Sequence, residues 1–178
     1  MKIGAGLFYL AMGIVAWLLA SFLHIFPWRM GIPKEGPFWG KVVFAGLGIG
    51  LGLVVTSRML DKFSPFQRLN TLLARYLLPL SFSDIVFLSF LSAWAEELLF
   101  RGVLMQWTGI HLSSFLFGFL HYGGRRSFLL WGVVAWIVGY ILGGAFCLSG
   151  SLLTPMLAHF TVNYFNLLRL RRYKTGAS

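Results

Sequence analysis

Long apolar stretches recur along the chain, and short polar links rich in Pro, Gly and basic residues separate them. Most of these stretches approach the ~20 residues that an α-helix needs to cross the hydrocarbon core of a bilayer. Six spans are predicted, of which the fourth is short, at about residues 4–26, 38–57, 84–107, 109–122, 127–148 and 151–168. The pattern therefore predicts an all-α, polytopic membrane bundle of about six helices.

Residues 58–83 interrupt this pattern, because basic and apolar residues are mixed there. Such a mixture is typical of an amphipathic segment that lies in the membrane interface. No internal repeat is evident, so we expect a single transmembrane domain over residues 1–178. The polar motifs described below place its core at about 84–168. The first span is interpreted as a retained helix rather than a cleaved signal peptide.

Glycines recur in the second predicted span, at Gly46, Gly48, Gly50 and Gly52. A nucleotide-binding loop is disfavoured, since no strand or polar helix start frames these residues. The spacing of four residues within each pair is typical of close helix packing in lipid.

Composition supports the membrane assignment. Hydrophobic residues make up 58% of the chain and charged residues 11%, whereas a soluble domain carries about 25% charged residues. The net charge of +10 would suggest nucleic acid in a soluble chain. Here the positive charges lie between apolar runs, where they set topology and contact anionic headgroups. The lone Cys147 lies in an apolar run and indicates neither a disulfide framework nor a cysteine metal site.

The positive charges also predict the orientation. A cytoplasmic N-terminus places eleven basic residues inside, which are Lys2, Arg58, Lys62, Arg68, Arg75, Arg125, Arg126, Arg169, Arg171, Arg172 and Lys174. It leaves Arg29, Lys34 and Lys41 outside. Positive residues favour the cytoplasmic side, so we expect both termini to be cytoplasmic.

Three charged residues lie inside the third predicted span, in the stretch AWAEELLFRG. A charge near the bilayer centre costs at least ~2.5 kcal/mol on insertion scales. Glu97 and Arg101 are four residues apart, which favours an ion pair on one helix face. Glu96 points about 100° away and has no partner three or four residues away, where the chain has Ser92, Ala93, Leu99 and Phe100. It therefore needs a partner from another helix. An unpaired carboxylate of this kind is in the state that a general base requires.

Further polar side chains lie in two other predicted spans. His121 is in the fourth span, and His159 is about halfway along the sixth, four residues before Asn163. A carboxylate, two imidazoles and an amide can activate water and bind an oxyanion, which amide hydrolysis requires. Each motif alone could be a structural clamp or interhelical hydrogen bonding. Their concentration in three spans favours a functional site.

The three motifs together resemble those of the CPBP intramembrane proteases, the group of CAAX prenyl protease 2 and bacterial Abi proteins. EELLFR (96–101) is similar to the Glu-Glu-x-x-x-Arg motif of that family. FGFLH (117–121) is similar to its Phe-x-x-x-His motif, and HFTVN (159–163) to its His-x-x-x-Asn motif. The order of the motifs also agrees.

The resemblance implies a glutamic-type intramembrane endopeptidase, with all six polar residues in the site. Glu96 would activate water with help from His121, and His159 and Asn163 would stabilise the oxyanion. Glu97 and Arg101 would organise the site.

The sequence leaves open whether the site uses a metal ion. Glu96, His121 and His159 form a His₂Glu set of the kind that holds catalytic zinc. No His-Glu-x-x-His motif is present, and the amide of Asn163 suits an oxyanion hole better than a zinc shell. The metal-independent mechanism is therefore preferred, so no cofactor is required, with zinc as the alternative.

The resemblance also implies the partners, which are a membrane-anchored protein or peptide substrate and the lipid bilayer, but no nucleic acid. The compact chain is similar to bacterial members, which indicates an integral protein of the bacterial cytoplasmic membrane.

Three other functions compete with this interpretation. A membrane immunity or scaffold protein could retain the protease fold without its chemistry. A proton or ion pathway would need polar residues across spans two and five, which have almost none. Haem held by two histidines would leave the Glu pair and Asn163 unexplained.

Overall fold

A computed structural model describes residues 2–28 and 38–171, and every regular element in these ranges is helical. In chain order the elements are α1 (Lys2–Phe22), α2 (Phe38–Leu60), α3 (Ser64–Leu77), α4 (Phe82–Glu97), a π-helical segment (Leu98–Leu104), α5 (Met105–Tyr122), a 3₁₀ turn (Arg126–Phe128), α6 (Leu129–Ser149) and α7 (Leu153–Leu170). The predicted all-α bundle is confirmed.

Four helical segments within the described ranges are long and apolar enough to cross a membrane, namely Gly4–Phe22, Trp39–Leu60, Phe82–Tyr122 and Arg126–Ser149. The third of them bends back on itself. Gly109 has a φ of 86°, a conformation that suits glycine because it lacks a Cβ atom. After this glycine the chain returns along the π-helical segment, where the Ser113 hydroxyl donates to the Phe100 carbonyl oxygen at 2.7 Å. The predicted boundary between spans three and four thus coincides with the tip of a helical hairpin.

Helix α7 is the sixth long helix of the bundle, and it packs against α2, α4 and α6. Its polar side chains lower its hydropathy below that of the other spans. Because α7 also contacts α3 and so has four neighbouring helices, those side chains can be satisfied by protein instead of facing lipid.

Glycines set the distance between α2 and α7. A Cβ atom on Gly50 would lie 2.6 Å from the Cβ atom of Thr161, and Gly46 is equally tight against the α7 backbone. The predicted close packing is confirmed for this pair. It is wrong for Gly48 and Gly52, which have nothing within 4 Å of an added Cβ atom. Two residues along a helix turn the side chain by about 200°, so these two glycines face away from α7.

The amphipathic segment predicted at 58–83 consists of the end of α2, the whole of α3 and the start of α4. Helix α3 buries Leu69, Asn70 and Ala74 against the bundle and leaves Arg68 and Arg75 exposed. The link between α2 and α3 is tied to α7, because Asp61 accepts a hydrogen bond from Asn70 (2.6 Å) and pairs with Arg169 (2.5 Å).

The described basic residues of the links gather at this end of the bundle, and they are Arg58, Lys62, Arg68, Arg75, Arg125, Arg126, Arg169 and Arg171. One contact that joins these links is a hydrogen bond of 3.2 Å from Arg125 to the Tyr76 hydroxyl. Lys41 lies at the opposite end, in the first turn of α2. Arg29, Lys34, Arg172, Lys174 and the side chain of Lys2 lie outside the described residues. These basic links therefore lie at the same end of the bundle, as the predicted topology requires. That this end faces the cytoplasm stays a prediction.

Candidate active site

A buried ion pair links α4 to the π-helical segment. Arg101 donates to Glu97 at 2.8 Å, and the two side chains are 1% and 0% exposed. The guanidinium also donates to the carbonyl oxygen of Gly139 on α6 at 3.3 Å and lies 4.3 Å from the centre of the Phe117 ring on α5. Buried charges are tolerated only when they are paired and hydrogen-bonded. The pair predicted from the spacing of four residues is present.

His159 joins this pair from α7, a contact that the sequence did not predict. Its Nδ1 atom lies 2.7 Å from Glu97 Oε1, the same oxygen that accepts from Arg101. A carboxylate that is paired with arginine accepts hydrogen bonds, so Nδ1 carries the donated proton. The other ring nitrogen, Nε2, is then directed towards Glu96, where it lies 3.8 Å from Oε2.

His121 approaches Glu96 from α5 in the same manner. Its Nδ1 atom lies 2.7 Å from the carbonyl oxygen of Phe117, and since a carbonyl only accepts, Nδ1 is the donor. This fixes the ring and leaves Nε2 facing Glu96 Oε2 at 3.9 Å. Two imidazole nitrogens on two helices therefore converge on one carboxylate oxygen.

Neither imidazole is close enough to Glu96 for a direct hydrogen bond, which requires about 2.7–3.2 Å. Glu96 Oε2 is buried and has no hydrogen-bond partner among the described residues. A buried polar atom of this kind calls for an explanation in the function of the site.

The same three side chains are the predicted zinc ligands. Both histidines keep Nε2 free and hold Nδ1 on a carbonyl or carboxylate, as metal-binding histidines do. The donor atoms are nevertheless too far apart, because ligands at about 2.0–2.1 Å from a tetrahedral zinc are separated by about 3.3 Å. Within 2–28 and 38–171, no group of three or more His, Cys, Asp or Glu residues is arranged to hold a metal ion. The donor types suit zinc, and their present spacing does not.

Asn163 lies one helical turn beyond His159 and faces the same helix, α4. Its amide donates to the Ser92 hydroxyl at 2.9 Å. The side-chain amide has two N–H groups, so one remains for another acceptor. Ser92 itself lies four residues before Glu96 and therefore on the same face of α4.

Glu96, His121 and Asn163 line one cavity of about 300 Å³. It extends along α3 and α7 to Asp61 and Arg169, so it reaches the basic end of the bundle. Leucines of α2, α3, α4 and α7 form a large part of its wall, and they are Leu60, Leu69, Leu73, Leu77, Leu88, Leu167 and Leu170. A mainly apolar pocket with a few convergent polar groups is the usual form of a ligand site.

The structure thus brings all six predicted residues into one connected cluster. Sequence reasoning did not find two further polar members, Ser92 and Tyr9. Ser92 could have been found, because its spacing from Glu96 is visible in the sequence. Tyr9 could not, because only tertiary packing brings α1 to this cavity, where Tyr9 forms part of the wall together with Glu96.

The part of the chain that carries these residues is similar to known proteins. Residues 78–165 match the family model of the Rce1-like type II CAAX prenyl endopeptidases. An uncharacterised protein of Bacillus subtilis (strain 168), YpbD, is 28% identical over 125 residues, which are 69% of this chain and 66% of the relative. The match therefore covers just under two thirds of that relative. No solved structure matches the chain.

Proposed function

Since the chain belongs to the Rce1-like CAAX protease family and is an integral membrane protein, we propose that it is an intramembrane endopeptidase. The proposed reaction is hydrolysis of a peptide bond in a membrane-anchored protein or peptide. One observation carries the proposal, namely the convergence of His121 and His159 on Glu96 Oε2 at the wall of an apolar cavity.

The spacing of these three groups suits a water molecule. Polar atoms separated by more than about 3.5 Å are commonly bridged by water, and the two separations here are 3.8 and 3.9 Å. A water between them would donate one proton to Glu96 Oε2 and be oriented by the imidazoles. This would give Oε2 the partner that the described residues do not supply.

The proposed chemistry begins when Glu96 removes a proton from this water. The water oxygen bonds to the carbonyl carbon of the substrate and forms a tetrahedral intermediate. The C–N bond then breaks, and the proton held by Glu96 passes to the leaving amine. The products are a carboxylic acid and an amine, so protons and electrons balance.

The negative oxygen of the intermediate needs donors placed in advance. Asn163 has an N–H group that Ser92 does not use. When both of its ring nitrogens carry a proton, His159 can donate from Nε2 while Nδ1 stays bonded to Glu97. Arg101 then acts indirectly, since it holds the Glu97 carboxylate in place.

We also propose that this chemistry needs no metal. The carboxylate, the imidazoles and the amide supply a base and oxyanion donors without one. Substrate would enter from the basic end, to which the cavity extends. By the predicted topology that end faces the cytoplasm, and the bacterial relative suggests the cytoplasmic membrane of a bacterium.

The first prediction concerns Glu96→Gln, which keeps the shape of the side chain but cannot take a proton. General-base catalysis contributes ~10²–10⁴-fold, so kcat should fall by at least ~100-fold while the protein stays folded. The assay uses protein in liposomes with two probes, a prenylated fluorogenic peptide and a non-prenylated transmembrane peptide. Mass spectrometry identifies the bond cleaved, and dialysis against a chelator is expected to leave the rate unchanged.

A matched pair of histidine variants serves as the control. His121→Ala should reduce kcat strongly, whereas His111→Ala should not, because His111 is exposed and bonds Tyr140 outside the cavity. Equal cleavage by wild-type protein and Glu96→Gln would rule out the proposed role of Glu96. Full biological effect without any cleavage would favour the immunity or scaffold alternative.

A further inference from the structure

We propose that Tyr9, on the first helix, is a positioning residue of the active site that holds the Glu96 carboxylate towards the reacting water. The inference rests on the proposed function. It adds a residue outside residues 78–165, the part of the chain that matches the family model, and outside all three motifs.

Close packing fixes α1 against the helix that carries Glu96. Gly13 lies directly under the ring of Trp94, and a Cβ atom there would overlap that ring. About two turns earlier, Gly6 meets Phe87 at ordinary van der Waals distance. The two contacts have the same sequence offset, so α1 runs parallel to α4. A glycine at 13 lets the α1 backbone approach α4 closely.

Tyr9 lies between these two glycines and lines the cavity together with Glu96. Its hydroxyl lies near enough to the Glu96 carboxylate to interact with its charge. Both imidazoles are too far from that carboxylate to bond it directly, at 3.8 and 3.9 Å. In the role that we propose, Tyr9 therefore donates directly to this carboxylate and restrains its orientation.

A phenol suits this task better than a cation would. Glu97, which we assign to the support of the site, is bonded by the charged Arg101. A cation bonded to Glu96 in the same way would stabilise the charged carboxylate and make it a weaker base. The neutral tyrosine hydroxyl donates one hydrogen bond, fixes the carboxylate and leaves it able to act as a base.

The contact also gives the first helix a part in catalysis. Because Tyr9 belongs to α1 and Glu96 to α4, the carboxylate is held correctly only when α1 is docked. Catalytic groups need to be held within a fraction of an ångström of their working geometry, and a single hydrogen bond from a docked helix can provide that restraint.

The second prediction tests this with Tyr9→Phe and the control Tyr140→Phe. Tyr140 also bonds a polar side chain, His111 at 3.0 Å, but lies outside the cavity. Loss of a hydrogen bond to a charged group corresponds to about 10- to 100-fold in rate. We expect that loss in kcat for Tyr9→Phe, with KM within about twofold, and no comparable change for Tyr140→Phe. Tyr9→4-aminophenylalanine, which keeps a donor on the ring, should recover much of the lost kcat.

Three outcomes overturn the inference: equal kcat for the two Phe variants, a change in KM alone, or no recovery with the amino analogue. Infrared spectroscopy gives a second readout that does not depend on turnover. The carboxylate band that Glu96→Gln removes should shift in Tyr9→Phe, and an unshifted band also overturns the inference. Wild-type protein that cleaves neither probe would contradict the proposed function instead, and the infrared band would then decide the Tyr9 contact separately.

Discussion

Glu96 and Glu97 are adjacent in the sequence and have different surroundings in the bundle. Glu97 is fully buried and accepts from Arg101 and His159. Glu96 lines the cavity beside Tyr9, and neither imidazole near it is within hydrogen-bond distance of its Oε2. The Oε2 atom of each glutamate lacks a hydrogen-bond partner among the described residues. The difference follows from the helix, since consecutive residues point about 100° apart. One carboxylate can therefore support the site while its neighbour reacts.

The third prediction concerns the buried ion pair of Glu97 and Arg101, which supports the site. Glu97→Gln leaves the Arg101 charge buried without its counter-ion, and breaking a buried pair in this way costs about 3–5 kcal/mol. We expect a loss of this size in the free energy of unfolding, measured by reversible unfolding in detergent. His159→Ala should cost less, because it removes a hydrogen bond to Glu97 and leaves the ion pair intact.

The double variant Glu97→Gln/Arg101→Met provides the control. Replacing both members of a buried pair is often far less harmful than removing one, so its stability should lie between those of wild type and Glu97→Gln. Wild-type stability for Glu97→Gln would show that the pair is not needed for folding.

The helical elements differ in how strongly the sequence determines them. The capping box at the start of α4 is local, with Ser81 and Asp84 bonded to each other's backbone N–H groups. The π-helical segment Leu98–Leu104 is not signalled in this way, although it carries Arg101. Wider turns of this kind are frequent at functional sites. Here the segment leads into the hairpin at Gly109, which returns α5 to Glu96.

The fourth prediction concerns the packing of α2 on α7. Gly50→Leu places a side chain where α7 already lies, and overpacking typically costs 1–3 kcal/mol. We expect a loss of stability in that range and a lower kcat, because α7 carries His159 and Asn163. Gly48→Leu is the matched control on the same helix. It has open space around it, so both quantities should stay close to wild type. Equal effects in the two variants would contradict the assigned helix face.

At the scale of the whole molecule, the directions of the helices place the basic links at one end of the bundle. Parallel packing of α2 with α7 and the antiparallel hairpin of α4 and α5 both place these links together. Positive residues near a membrane favour its cytoplasmic face. The cavity extends to this same end, so the orientation also decides from which side substrate enters.

The fifth prediction is the orientation itself, tested by cysteine labelling with a membrane-impermeant maleimide. The background carries Cys147→Ser. Ser127→Cys, beside the exposed Arg125 and Arg126 at the basic end, should react only after the membrane is permeabilised. His24→Cys, which follows the end of α1 at the opposite face, should react in intact cells. Reversed labelling would show that the termini are not cytoplasmic.

The sequence by itself determined the fold class and the candidate residues. Apolar run length predicts membrane helices because lipid cannot satisfy free backbone groups. The spacing of Glu97 and Arg101 predicts their pair because both lie on one turn of a single helix. The glycine spacing in α2 predicted close packing, but it did not identify which of the two faces meets α7.

Tertiary structure decided the contacts between helices. The bond from His159 to Glu97, the convergence of both imidazoles on Glu96, and the approach of Tyr9 each join residues that are far apart in the chain. Local periodicity carries no information on such pairs, because they depend on how helices dock and where Gly109 turns the chain. Within a helix, geometry follows from residue number, whereas between helices it follows from packing.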